Sequence, residues 1–255
     1  MTEEKNPKSA PEKHVVICIS GMAGTGKSTL SKKLAKKYNL QYYSGGDALK
    51  ALAAEEGYNS STRGWWESPE GLTFLEKRET NLKFDKAVDD KLIEYAQKGR
   101  VLLDSWTMPW LLKIGFKIWL IASVEKRAER IAKRDRIPKK KALQVLKEKE
   151  ARTKAIYKKL YGFTLGEDFE PFDLVLDTDN LNASEVFEVL SKIVDKLCEA
   201  MESRIFRLMR TEGRGMVERL SLLAQAWGCK AAKCWVKDRG FVQFLVITNL
   251  SCLKT

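Results

Sequence analysis

The sequence predicts an α/β fold, a parallel five-stranded sheet with helices on both faces. Five short strand-like runs, at residues 15–19, 41–43, 101–104, 116–121 and 173–177, are separated by longer stretches at helical spacing. The first run leads through a glycine-rich turn directly into a helical pattern with Leu30, Leu34 and Tyr38 four residues apart. At 255 residues, 44% apolar and 31% charged, the chain has material for one domain core and a modest attachment. Right-handed crossovers then place the loops that follow the strands along one edge of the sheet.

The glycine-rich turn is Gly21, Met22, Ala23, Gly24, Thr25, Gly26, Lys27 and Ser28, followed by Thr29. Between a strand and a helix this G-x-x-x-x-G-K-S spacing is a phosphate cradle. Glycines let successive backbone N–H groups turn toward an anion, and the helix start adds unpaired donors and the positive end of its dipole. Lys27 brings a mobile charge to the outer phosphates of a nucleoside triphosphate, and the Ser28 hydroxyl can ligate Mg²⁺. Asp104, at the carboxyl end of the third strand, stands where such proteins commonly order that ion.

Between the second and third strands, Ser44, Gly45 and Gly46 form another loop suited to close approach of a ligand, with Lys50 one turn into the helix they open. A polar segment from Gly57 to Gly71 holds Trp65 and Trp66, which either pack locally or stack on a base. A helical region broken near Asn81 follows, and its second part puts Asp85 and Asp89 on one face. Two carboxylates at that spacing cost a few tenths of a kcal/mol, which invites a functional reason.

Past the fourth strand, Arg127, Arg130, Arg134 and Arg136 lie within ten residues beside Pro138, with Lys139, Lys140 and Lys141 beyond. Planar guanidinium forks bind phosphate oxygens bidentately, so this segment is expected to be a lid over a transferring phosphoryl group. The single histidine, His14, stands at the start of the first strand and offers no general base. None is needed if the acceptor is itself a phosphate, because positioning and charge then carry the reaction.

The formal charge of +12 fits either a polyphosphate site with a lysine-rich surface or a nucleic-acid partner. Five cysteines lack zinc or redox spacing. No run approaches the roughly 20 apolar residues of a membrane helix, and residues 1–13 read as a disordered polar arm without a secretory core. A cytoplasmic monomer is expected. From residue 200 to 255 the chain becomes a basic extension: residues 201–255 hold 10 Lys or Arg against 4 Asp or Glu. Either a poorly ordered tail or a module touching RNA would fit, and runs at 233–236 and 241–247 suggest a hairpin.

Taken together, GMAGTGKST, YYSGGDALK, FDKAVDDKL, VLLDSW, KIWLIASVEKRAERIAKRD, IYKKLYG and DLVLDTD resemble the P-loop nucleoside monophosphate kinases, and within them the archaeal type of cytidylate kinase. The resemblance implies a kinase domain over residues 14–199, an acceptor-binding insertion at about 44–98 and a lid at about 130–155. It implies transfer of the γ-phosphoryl of ATP to CMP or dCMP with Mg²⁺. By position it assigns Gly21 to Thr29 to the ATP phosphates and the four arginines to the lid. Asp85 and Asp89 would lie near the acceptor's sugar and base, and Asp177-Thr178 near the adenine. Lys50, Lys91 and Trp106 stand where arginine is usual, and the 57–84 segment is longer than usual. Kinases for AMP, UMP or another small acceptor, and an RNA-associated nucleotide-binding protein, are the alternatives left open.

Overall fold

A computed structural model describes residues 15–202, 236–238 and 241–243. The arm at 1–13, His14 and most of the basic extension lie outside the described residues. Of the suggested hairpin, Val236–Asp238 pairs antiparallel with Phe241–Gln243.

The element order is β1 (Val16–Gly21), α1 (Lys27–Lys37), β2 (Gln41–Ser44), α2 (Gly45–Glu55), a 3₁₀ turn (Trp65–Glu67), α3 (Pro69–Thr80), α4 (Lys83–Lys98) and β3 (Val101–Asp104). Then come α5 (Met108–Leu111), β4 (Phe116–Ile121), α6 (Val124–Asp135), α7 (Lys139–Tyr161), β5 (Leu174–Asp177) and α8 (Ala183–Glu202). The five strands pair in the order β2-β3-β1-β4-β5, all parallel, as the strand–helix rhythm predicts. β1 is central and buried along its whole length, so its carboxyl end delivers the phosphate loop to the middle of the sheet edge.

Alternate residues of β1 feed two cores. Ile17 and Ile19 pack with α1 and α8 through Leu30, Leu34, Val186 and Leu190. Val16 and Cys18 pack on the opposite face with Leu49, Phe74, Val88 and Leu92 of α2, α3 and α4. Burial in that second layer pushes the Cys18 thiol up to about 12, so it stays a neutral packing group. A third cluster, around Trp119, Ile156, Tyr157, Phe163 and Phe172, seats the end of α7 against β4 and β5. The sequence reading does not include the short α5 or this aromatic cluster, whose members are scattered from residue 75 to residue 175.

Helix boundaries follow local chemistry. The hydroxyls of Ser44 and Ser68 accept the N–H of Asp47 and Gly71, capping α2 and α3, and Pro69 occupies the first turn of α3. Ser44 therefore ends β2 and caps α2, with Gly45 and Gly46 in the helix itself rather than in an open loop. Gly71 sits so close to the 3₁₀ turn that a Cβ there would fall 2.1 Å from the Trp65 carbonyl oxygen.

Candidate active site

A cavity of about 780 Å³ opens at the carboxyl edge of the sheet, within the size range of small-molecule sites. Residues Ala23 to Leu30 form one wall. Gly24 adopts φ +85, and a Cβ on it would meet the Arg127 carbonyl oxygen at 2.7 Å, so only glycine fits between loop and α6. Lys27 reaches across to Asp104, with Nζ 3.8 Å from Oδ1, and lies 5.6 Å from the centre of the Trp106 ring. The Trp106 indole N–H donates to the Gly21 carbonyl at 2.6 Å, tying the segment after β3 to the start of the loop. Asp104 is buried and accepts the Tyr42 hydroxyl at 3.0 Å. Ser28 and Asp104 both line this wall. Among the described residues, no cluster of three or more His, Cys, Asp or Glu could hold a metal ion. One hydroxyl and one carboxylate suit a Mg²⁺ that keeps most of its shell from phosphate and water.

Beyond the loop, Thr178, Leu181 and Asn182 continue the same wall. Arg130 spans this junction: its guanidinium donates to the Thr178 carbonyl at 3.0 Å, and to the Thr25 carbonyl at 3.5 Å.

The opposite wall comes from α2, the 3₁₀ turn, α3, α4 and α7. Arg78, buried in α3, grips Asp85 through two hydrogen bonds of 3.0 and 2.6 Å. Asp89 accepts the hydroxyls of Thr107 and Tyr161, the latter at 2.7 Å. Burial nevertheless pushes the Asp89 carboxyl up to about 6, against the pull of those two bonds. Lys149, buried in α7, has its pKa lowered chiefly by desolvation, with the nearby charges of Arg134 and Lys27 adding to the effect. It pairs with the buried carboxylate of Glu67, which also accepts from Arg134 at 3.0 Å.

One cleft thus has the glycine loop on one wall and a helical wall opposite, with Lys27, Arg134 and Lys149 near one another in its lining. Residues 16–180 match the cytidylate kinase-like family. The chain belongs to that family. It is 35% identical to the cytidylate kinase of Methanocaldococcus jannaschii over 188 residues, covering 72% of this chain and 99% of that one. It is 36% identical to the cytidylate kinase of Sulfurisphaera tokodaii over 69% of this chain and 93% of the relative. It is 32% identical to that of Pyrococcus horikoshii over 73% and 92%.

Against this family background, the structure brings most of the predicted site residues together and moves others out. Ala23 to Thr29, Ser44, Gly45, Lys50, Asp85, Asp89, Asp104, Arg130 and Arg134 all line the cavity. Gly21 and Met22 do not: Gly21 hands its carbonyl to Trp106, and Met22 packs toward Gly166. Arg127 is also displaced from the role expected of it. It is buried with its guanidinium on the carbonyls of Ala122 and Ala23, at 3.0 and 3.1 Å, and on Glu150. Its donors are spent on holding the loop to α6 and α7, so it is a positioning residue. Arg136 caps α6 in a left-handed conformation, φ 58, and is exposed outside the cavity. Lys91 faces solvent, pairs with Glu94 at 2.9 Å and lines only a small separate pocket beside Tyr95. Asp85 lines the cavity already paired with Arg78, which uses one lone pair on each of its oxygens. Trp65 is buried against Phe74, Tyr58 and Trp66, which favours packing over base stacking. The sequence reading missed Arg78, Lys149 and Glu67.

Proposed function

We propose that this chain transfers the γ-phosphoryl of ATP to the phosphate of CMP or dCMP. The observation that carries the reading is the single cavity with the glycine cradle on one wall, a helical chamber opposite, and Lys27, Arg134 and Lys149 between them. ATP lies along Gly24 to Thr29, its base toward Thr178 and Arg130. The acceptor occupies the chamber bounded by Ser44, Lys50, Asp89 and Tyr157. An acceptor phosphate oxygen forms a bond to the γ-phosphorus while the bond to the bridging oxygen of ADP breaks, and ADP carries that electron pair away. The nucleophile is already anionic, so no side chain has to remove a proton. Lys27 follows the charge that develops on the outer phosphate oxygens, and Arg134 and Lys149 meet it from the lid side. Ser28, with Asp104 behind it, would hold a Mg²⁺ that neutralises β- and γ-phosphate charge. Asp89, held by Thr107 and Tyr161, presents a carboxyl group able to accept or donate toward the acceptor's polar edge.

ADP release measured with CMP, dCMP, UMP and AMP in turn tests this. The expected order has CMP and dCMP fastest. Fastest turnover with AMP or UMP would reassign the acceptor, and no acceleration by any monophosphate would end the proposal.

A further inference from the structure

The geometry points to Glu67 as an internal competitor for the anion site, a carboxylate of the acceptor-side insertion lodged where a substrate phosphoryl group must go. This rests on the kinase reading above and concerns regulation of the same site. The insertion contributes acids and the lid contributes bases. Glu67, on the 3₁₀ turn, is 7% exposed and holds both Lys149 and Arg134. Arg152 of α7 forks onto Glu79 of α3 at 2.7 and 2.8 Å and lies 3.8 Å from Glu76. Gly64, just before the turn, is so close to Asp135 of α6 that an added Cβ would stand 3.2 Å from its side chain.

Two of these bases differ from the rest. Lys149 and Arg134 line the cavity, and Lys149 lies within electrostatic reach of Lys27. Cations lining a phosphate cleft bind whatever anion is present: in this structure the buried Lys149 holds Glu67, and the half-exposed Arg134 shares its guanidinium between Glu67 and its neighbour Asp135. The carboxylate also spares Lys149 the cost of sitting buried with no counter-charge. A phosphate entering the cleft offers the same cations more oxygens and more charge. Occupancy of these two cations by Glu67 and by substrate is therefore exclusive: the 3₁₀ turn lets go of them as the anion arrives, while the Arg152–Glu79 fork keeps α3 on α7. The affinity seen by substrate is then reduced by the fraction of time that Glu67 is seated.

The test uses inorganic tripolyphosphate and the full chain. Glu67→Gln keeps the shape and removes the charge, so it is expected to bind tripolyphosphate roughly tenfold tighter than the unaltered protein. Unchanged or weaker binding in a cooperatively folding variant overturns the proposal. Amide exchange on the unaltered protein reads the same point without relying on the variant's fold. Tripolyphosphate should slow exchange over residues 21–28 and speed it over residues 65–68. Slowing at both segments, or no change at 65–68, overturns the competitor role while leaving the phosphate site intact. No slowing at 21–28 instead breaks the underlying kinase reading.

Discussion

The two ends of the cleft are built on different physics. The phosphate-loop end is made of backbone: glycine conformations and a helix start, with Lys27 and Asp104 as the principal charged groups. The helical end is made of paired side chains: Arg78 with Asp85 and Lys149 with Glu67, with Arg152 and Glu79 paired outside the cavity. Backbone cradles tolerate little change in chain geometry but ask little of the rest of the sequence. Side-chain pairs allow many sequences, and each pair fails badly when one member is lost.

The largest expected effect breaks the loop end alone. Lys27→Met should lower CMP-dependent ADP formation by on the order of 10³-fold, with a melting temperature close to that of the parent. Turnover within a few-fold of the parent, in a folded variant, would contradict the role given to this lysine.

At the helical end the expected effect is on stability. Arg78→Ala leaves the Asp85 carboxylate buried without its counter-charge, with only the Tyr157 hydroxyl beside it, a loss of about 3–5 kcal/mol in urea unfolding. A loss below about 1 kcal/mol would mean that water reaches Asp85 and that this wall is softer than its packing suggests.

A pH series sharpens the contrast. The Asp89 carboxyl has a folded-state value of about 6 against its ordinary 3.8, so the folded state holds its proton over that window. Its contribution to stability is present below about pH 4 and is lost as pH rises through 6, a change of about 3 kcal/mol at most. Subtracting the Asp89→Asn profile from that of the parent should isolate this slope. A parallel pair of profiles between pH 4 and 7 would show that Asp89 titrates normally.

The smallest effects lie outside the cleft. Lys91→Ala and Arg136→Ala should each change kcat/KM by less than about twofold, because the first is a solvated pair and the second an exposed helix cap. A tenfold loss from either would return that residue to the site.

The sequence made the loop end more legible than the helical end, although Gly21 and Met22, read with the cradle, lie outside the cavity. A cradle of backbone N–H groups demands glycines at fixed spacing, so Gly24, Gly26 and Lys27 can be read directly. The strands are equally plain, since a parallel sheet covered on both faces requires continuous apolar runs. The four arginines of α6 show where spacing stops informing. Helical phase and distant partners divide them: Arg127 finds Glu150, Arg130 finds Thr178, Arg134 finds Glu67, and Arg136 faces water. Lys149 lies in Lys147-Glu148-Lys149-Glu150, which reads as a solvated surface run, yet its helix face turns two of those four residues inward. Arg78 looks like one charge among many in α3. A clue was available in Glu67, an acid placed between two tryptophans and a Ser-Pro helix start, where an apolar neighbourhood makes a lone carboxylate costly.

The Arg127–Glu150 pair has a mechanical meaning. It pins the middle of a 23-residue helix to the carbonyl of Ala23 in the phosphate loop. The pin acts as a brace: the carboxyl-terminal arm of α7 is seated on the aromatic cluster, and the arm from Lys139 to Lys149, about 16 Å of helix, packs on α6 through Ala142 and Leu146. A displacement of the loop at Ala23 is therefore resisted by α6 and α7 together rather than by the loop backbone alone.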